Sequence, residues 1–130
     1  MPFASKPRTF NATINETVLG VGDKAVTLGG QNILPLYFFD ASVKNPPVVG
    51  IEITDVEFES AGFPELTAFY AGAATPAERA KKAAAVEGVK FICLRFEGAD
   101  PAGLDRSPEE CAAIAKEVSE ATDLPLVIAG

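Results

Sequence analysis

The chain has 130 residues, a formal net charge of −7 and a hydrophobic content of 48%, which is typical of a globular domain. The acidic balance excludes the basic surface that binding to nucleic acid or to an anionic membrane requires. No apolar run approaches the ~20 residues of a membrane span, and the N-terminal residues lack the apolar core of a signal peptide. We therefore expect a cytoplasmic protein.

Cysteine and histidine usage excludes several kinds of site. Cys93 and Cys111 are too far apart for a CxxC pair, and the sequence contains no histidine. The chain alone therefore cannot supply a zinc or iron–sulfur site, and a histidine-dependent nucleophilic triad is excluded as well. We interpret both cysteines as small, buried apolar residues.

Residues 1–45 predict an arm followed by a hairpin. Residues 1–12 are polar and read as a flexible arm, and residues 13–45 as an N-terminal hairpin and strap. The hairpin has Thr17–Leu19 and Ala25–Leu28 as strands, joined by a glycine-containing turn. A dinucleotide-binding loop is disfavoured there because no helix follows and the third glycine is absent. Ile33–Phe39 is apolar with a central proline, which suits an edge or packing strap.

Residues 46–130 predict a repeated βα unit. Thr75-Pro76-Ala77-Glu78 and Ser107-Pro108-Glu109-Glu110 each place a hydroxyl at a helix N-cap, a proline at the first helical position and a glutamate that completes a capping box. A long connection from residue 56 to residue 74 is expected to be functional or to contain a short helix. On the first helix Glu78 and Lys82 are predicted to face each other, and on the second an apolar stripe is predicted to pack on the sheet. The predicted elements are strand Val48–Asp55, helix Pro76–Val86, strand Val89–Leu94, helix Pro108–Ala121, with Cys111, Ile114, Ala115 and Val118 as its stripe, and strand Leu124–Ile128.

This pattern predicts an α/β fold in which the hairpin precedes the first units of a parallel barrel. A (β/α)8 TIM barrel needs roughly 250 residues, so we expect residues 46–130 to be a partial barrel (βαβαβ), truncated after about the third strand. The active face of such barrels lies at the carboxyl ends of the strands. Asp55 and the segment Glu97–Pro101 are the polar groups there, although Asp100-Pro101 also suits a simple turn.

Two charges fall inside the predicted strands. Glu52 and Arg95 occupy positions where a strand buried on both faces carries no charge. A cross-strand ion pair between them is the favoured interpretation, because an unpaired buried charge is costly. Direct contact with a ligand and simple exposure are the alternatives.

Several short blocks follow one another over most of residues 13–130. They are the hairpin ending in Gly29-Gly30, then V-V-G-I-E-I-T-D, F-I-C-L-R-F-E-G-A-D-P, S-P-E-E-C and L-P-L-V-I-A-G. In this order the blocks resemble one family, the small (delta) subunit of the corrinoid iron–sulfur protein of the acetyl-CoA decarbonylase/synthase system. The resemblance implies a (β/α)8 barrel about twice this length or more, of which this chain would be the N-terminal portion.

The resemblance also implies a function and partners. The barrel would form a heterodimer with a large subunit that carries a corrinoid (cobalamin) and an Fe4S4 cluster. The pair would pass a methyl group from a methylated pterin to acetyl-CoA synthase, as in the Wood–Ljungdahl pathway or methanogenesis. The partners implied are therefore the large subunit, acetyl-CoA synthase/CO dehydrogenase and pterin methyltransferase components. By position, Asp55, Glu97 and Asp100 would face the corrinoid, and this chain would bind no metal itself.

Two alternatives remain open. One is a stand-alone pterin-dependent methyltransferase of the dihydropteroate-synthase-like barrel class. The other is an assembly protein that binds no ligand.

Overall fold

The computed structural model describes residues 11–32, 43–57 and 63–130. The strap predicted at Ile33–Phe39 and most of the predicted arm lie outside these residues. The elements are β1 (Thr17–Leu19), a 3-10 turn (Gly22–Lys24), β2 (Val26–Leu28), β3 (Val49–Thr54), α1 (Pro64–Phe69), α2 (Pro76–Ala84), β4 (Val89–Arg95), α3 (Pro108–Ala121) and β5 (Leu126–Ala129). The chain divides into two compact units, Met1–Val18 with Thr27–Pro47 and Leu19–Val26 with Val48–Gly130.

Strands β1 and β2 form a two-stranded sheet, which confirms the predicted hairpin. In the first unit, backbone hydrogen bonds join Ile14 to Gln31 and to Gly30, both at 2.8 Å. The Asn45 amide donates to the Gly29 carbonyl and to the Glu16 carboxylate, each at 2.9 Å. Gly29 has φ +81°, and a Cβ there would collide with the Asn15 carbonyl, so this position requires glycine.

Strands β3, β4 and β5 form a parallel sheet in that order, with α2 connecting the first pair and α3 the second. The core lies on one face of this sheet, where residues of β3 and β4 meet the helices. Alanines on α2 allow close approach, and the predicted stripe of α3 packs against the same cluster, as expected. The buried core residues are Ile53, Ala80, Ala83, Val89, Ile92, Leu94, Phe96 and Val118.

The opposite face of the sheet carries the charges. Arg95 Nη1 lies 3.5 Å from Glu52 Oε1, which confirms the predicted cross-strand ion pair. Both side chains are about half exposed. Cys93 lies beside them, and partial burial, together with the Glu52 charge, raises the pKa of its thiol.

Both predicted capping boxes are present. Thr75 Oγ1 accepts from the Glu78 N–H, and Glu78 accepts from the Thr75 N–H at 3.0 Å. Ser107 and Glu110 repeat the arrangement on α3. Hydrogen bonds from the N-cap residues lower the pKa of both glutamates. Each carboxylate thus satisfies amides that the first helical turn would leave unpaired.

Two sequence predictions on α2 were wrong. Glu78 does not pair with Lys82, because Glu78 belongs to the capping box. Lys82 instead donates to the carbonyls of Phe69 and Ala71 and so covers the end of α1. The helix also ends at Ala84 rather than Val86.

The long connection does contain a short helix, α1. Among the described residues, no helix is long and apolar enough to cross a bilayer.

We predict that Ser107→Ala lowers the free energy of unfolding by about 1 kcal/mol, because the Glu110 N–H loses its acceptor. Chemical denaturation followed by circular dichroism measures this change. Ser119→Ala, an exposed position inside the same helix, is the matched control and should be neutral or slightly stabilising, since alanine favours the helix interior. Equal losses in both variants would contradict the role of the cap.

Candidate functional site at the carboxyl ends of the strands

The carboxyl ends of the three parallel strands meet at one edge of the sheet. Asp55 follows β3, and its N–H donates to the Arg95 carbonyl at 3.1 Å. Phe96 follows β4, and its N–H donates to the Ala129 carbonyl at 2.8 Å. The ladder therefore continues to the last residue of each strand and aligns the loops that follow. Ligand sites in parallel α/β folds are built from these loops.

The Asp55 carboxylate is the most enclosed charged group at this edge, with a side chain that is 0% exposed. Oδ1 accepts from the Gly98 N–H at 2.9 Å. Oδ2 lies 3.1 Å from Arg106 Nε, close enough for an ion pair, although the two atoms are not aligned for a hydrogen bond. We call Asp55, Gly98 and Arg106 the Asp55 clamp, because they join the end of β3 to both ends of the β4–α3 loop.

Gly98 makes this arrangement sterically possible. A Cβ at Gly98 would lie 2.5 Å from Asp55 Oδ2 and would also collide with Arg106 Nε. The Gly98 carbonyl accepts from the Arg106 N–H at 2.9 Å, which closes the base of the loop. A side chain at residue 98 would therefore separate the two charges.

Asp100 organises the tip of the loop. Its Oδ1 accepts from the Ala102 N–H at 2.9 Å. Its carbonyl accepts from the N–H groups of Gly103 and Asp105. Asp105 adopts φ 47°, a left-handed conformation that aspartate tolerates better than most residues. The predicted alternative for Asp100, turn formation, is thus observed.

Glu97 lies beside the clamp with its carboxylate accessible. The side chain is 41% exposed, and Oε1 lies 3.6 Å from Arg95 Nε. Arg95 therefore stands between Glu52 and Glu97. This row of charges runs from the open face of the sheet to its carboxyl edge, where it could contact polar groups of a ligand or partner.

The three site residues predicted from the sequence occupy different environments. Asp55 is enclosed and holds the loop, whereas Glu97 and Asp100 are exposed at the edge. Their contact with a corrinoid stays a prediction. The sequence analysis missed Arg106, whose only signal was an arginine directly before the Ser107 cap. In the described part of the chain, no group of three or more Cys, Asp or Glu side chains is placed to hold a metal ion.

We predict that Gly98→Ala disrupts the loop, since the added methyl collides with the Asp55 clamp. Gly103→Ala is the matched control, because the nearest atom to its Cβ, the Asp100 carbonyl oxygen, would lie 3.5 Å away. Limited proteolysis and thermal melting compare the two variants. We expect faster cleavage between residues 96 and 106, and a lower melting temperature, only in Gly98→Ala. Indistinguishable variants would contradict the steric argument.

We also predict that Asp55 and Arg106 are energetically coupled. Asp55→Asn leaves the guanidinium without its counter-ion and should cost about 1–3 kcal/mol. The Asp55→Asn/Arg106→Gln double variant should lose less than the sum of the single variants, with a coupling of about 0.5–3 kcal/mol. Denaturant unfolding of the four proteins measures the cycle, and strict additivity would show that the 3.1 Å approach contributes nothing.

Comparison with known proteins extends these observations. The family model described as CO dehydrogenase/acetyl-CoA synthase delta subunit matches residues 16–130. The chain is 34% identical over 124 residues to the acetyl-CoA decarbonylase/synthase complex subunit delta of Methanothermobacter thermautotrophicus, covering 95% of this chain and 31% of that protein. It is 35% identical over 107 residues to the subunit of the same name from Methanocaldococcus jannaschii, covering 82% and 26%.

The Archaeoglobus fulgidus subunit delta is 28% identical over 111 residues, with 85% of this chain and 24% of that protein covered. The chain thus spans about a quarter to a third of the length of these relatives. The matched region contains the hairpin, the parallel sheet and the Asp55 clamp. The chain belongs to the CO dehydrogenase/acetyl-CoA synthase delta subunit family.

Proposed function

We propose that this chain acts within an acetyl-CoA decarbonylase/synthase complex, as part of a barrel subunit that takes part in methyl transfer from a methylated pterin to acetyl-CoA synthase. The observation that carries the proposal is the family match over residues 16–130. A second role is assembly, through a heterodimer with the large subunit that bears the corrinoid and the Fe4S4 cluster.

The parallel sheet supports a barrel architecture for this subunit. Strands β3, β4 and β5 are consecutive, parallel and adjacent, with helices packed on one face. All-parallel sheets occur almost only with both faces covered, so a barrel would also enclose the face that carries the ion pair. We propose that residues 46–130 form the first units of a (β/α)8 barrel, preceded by the arm at 1–12 and the hairpin and strap at 13–45.

The carboxyl edge suits the periphery of a corrinoid rather than its metal. The groups there are the Glu97 carboxylate, the Arg95 guanidinium and the backbone of residues 97–105. These groups can exchange hydrogen bonds with amide substituents, whereas the sequence has no histidine to ligate cobalt. When bound, the corrinoid would supply the metal that carries the methyl group. Glu97 and Asp100 are the side chains of this chain that would face it, while Asp55 would keep their loop in place.

A binding experiment with the complete subunit tests this function. We expect it to co-purify with the large subunit, and more strongly when the corrinoid is bound. Glu97→Gln should reduce several-fold the gain in affinity for the large subunit that the corrinoid provides, because a charge-assisted contact is lost. Glu87→Gln, an exposed glutamate before the amino end of β4, is the matched control and should have no effect.

The same experiment distinguishes the alternatives. A subunit that bound a methylated pterin alone, and never co-purified with a corrinoid protein, would be a stand-alone methyltransferase. A subunit that bound its partner equally with and without the corrinoid would be an assembly protein. Either result would overturn the proposed role in methyl transfer.

A further inference from the structure

A polar cleft lies close to the end of β3 and is lined by residues outside the Asp55 clamp. It has a volume of about 220 Å³ and is bordered by α1, the turn at residues 71–74 and the first turn of α2. Its polar lining comes from Glu57, Thr67, Tyr70 and Arg79, and three alanines form the remainder. The cleft is smaller than the ~300–1,000 Å³ typical of sites that enclose a whole ligand. It is therefore large enough for one group of a ligand.

Arg79 is the unusual member of this lining, because it is charged and only 5% exposed. Nη1 donates to the Val56 carbonyl at 2.7 Å, and Nε donates to the Thr75 carbonyl at 3.4 Å. Among residues 11–32, 43–57 and 63–130, no carboxylate lies within 4.0 Å of this guanidinium, and Nη2 has no hydrogen-bond acceptor. Carbonyl oxygens satisfy donors without neutralising the charge.

A buried cation without a counter-ion is unfavourable. Burial accordingly lowers the pKa of Arg79, although the side chain remains protonated at neutral pH. Buried charges in proteins are normally paired, and an unpaired one that lies in a cleft is a candidate for ligand binding. The donors left over on the guanidinium and its position in a cleft favour the second explanation.

The neighbouring carboxylates of Asp55 and Glu57 attract the Arg79 cation, but neither forms an ion-pair contact with it. Glu57 lines the cleft but is exposed and lies beyond ion-pair distance of Arg79. Glu78 is committed to the capping box of α2, and its carboxylate accepts from the Thr75 N–H. Asp55 is held by Gly98 and Arg106. The N-terminus of α2 is thus already capped, so an incoming anion would be held by Arg79.

We propose that this cleft binds the anionic group, a carboxylate or a phosphate, of a small molecule, with Arg79 as its receptor. The guanidinium offers planar, charge-assisted hydrogen bonds that both anions accept. Tyr70 forms a wall of the cleft, its ring packed edge-to-face on Phe69 at 4.8 Å. This site is separate from the exposed carboxylates at Glu97 and Asp100 and does not depend on the function proposed above.

Calorimetric titration of the complete protein with inorganic phosphate, and separately with acetate, tests the site at constant ionic strength. We expect saturable binding, and the tighter of the two anions identifies which chemistry the cleft prefers. Arg79→Gln should weaken binding at least about tenfold, because the charge-assisted contacts are lost. Lys81→Gln, which removes an equal charge from an exposed position on the same helix, should leave binding within about twofold, since exposed charges are screened.

A second variant keeps the test valid if Arg79→Gln fails to fold, because Arg79 also holds the Val56 carbonyl. Glu57→Gln removes the nearest lining carboxylate without touching the guanidinium and should tighten anion binding about two- to threefold. Glu87→Gln changes a residue outside the cleft lining and should leave anion binding unchanged. Absence of saturable binding, or equal affinity in Glu57→Gln and Glu87→Gln, would overturn the proposal.

Discussion

The enclosed carboxylate of Asp55 is the interaction on which the carboxyl edge of the sheet depends. A buried charge is tolerated only where partners stabilise it, and here the partners come from both ends of one loop: the Gly98 N–H, which donates a hydrogen bond, and the Arg106 guanidinium, which forms an ion pair. Arg106 directly precedes the Ser107 cap, so the clamp lies next to the residue at which the capping box starts α3. Helix α3 in turn buries Val118 in the core. The order of the edge and the packing of the helix layer are therefore linked through one carboxylate.

The two faces of the sheet contribute differently to stability. The helix-covered face holds the apolar core, whereas the other face holds the half-exposed Arg95 between Glu52 and Glu97. Exposed ion pairs contribute about 0–1 kcal/mol each, so these charges add little to folding. Their value lies in orientation, because Arg95 holds two carboxylates at defined positions. In the barrel that we propose, enclosure of this face would strengthen the pairs by removing water.

Local features of this fold could be predicted from sequence, while contacts between distant segments could not. The capping boxes at Thr75 and Ser107 involve residues three positions apart, so their motifs contain all the information needed. The contact of Asp55 with Gly98 spans 43 residues and depends on the register of β3 with β4. The sequence also predicted a pair between Glu78 and Lys82. This pair does not form, because the Glu78 carboxylate accepts a hydrogen bond in the helix cap instead.

Two arginines contact consecutive residues after β3, and they differ in whether a carboxylate lies within ion-pair distance of the guanidinium. Arg106 meets the Asp55 carboxylate, so its charge is balanced within the fold. Arg79 donates to the Val56 carbonyl, which fixes the backbone, and the Asp55 and Glu57 charges attract it without an ion-pair contact. Both arginines order the same edge, yet among the described residues only Arg79 lacks a carboxylate within ion-pair distance. A loop can be held equally well by a neutral donor. The buried guanidinium of Arg79 therefore fits the anion site proposed above, in which the counter-ion arrives from outside the fold.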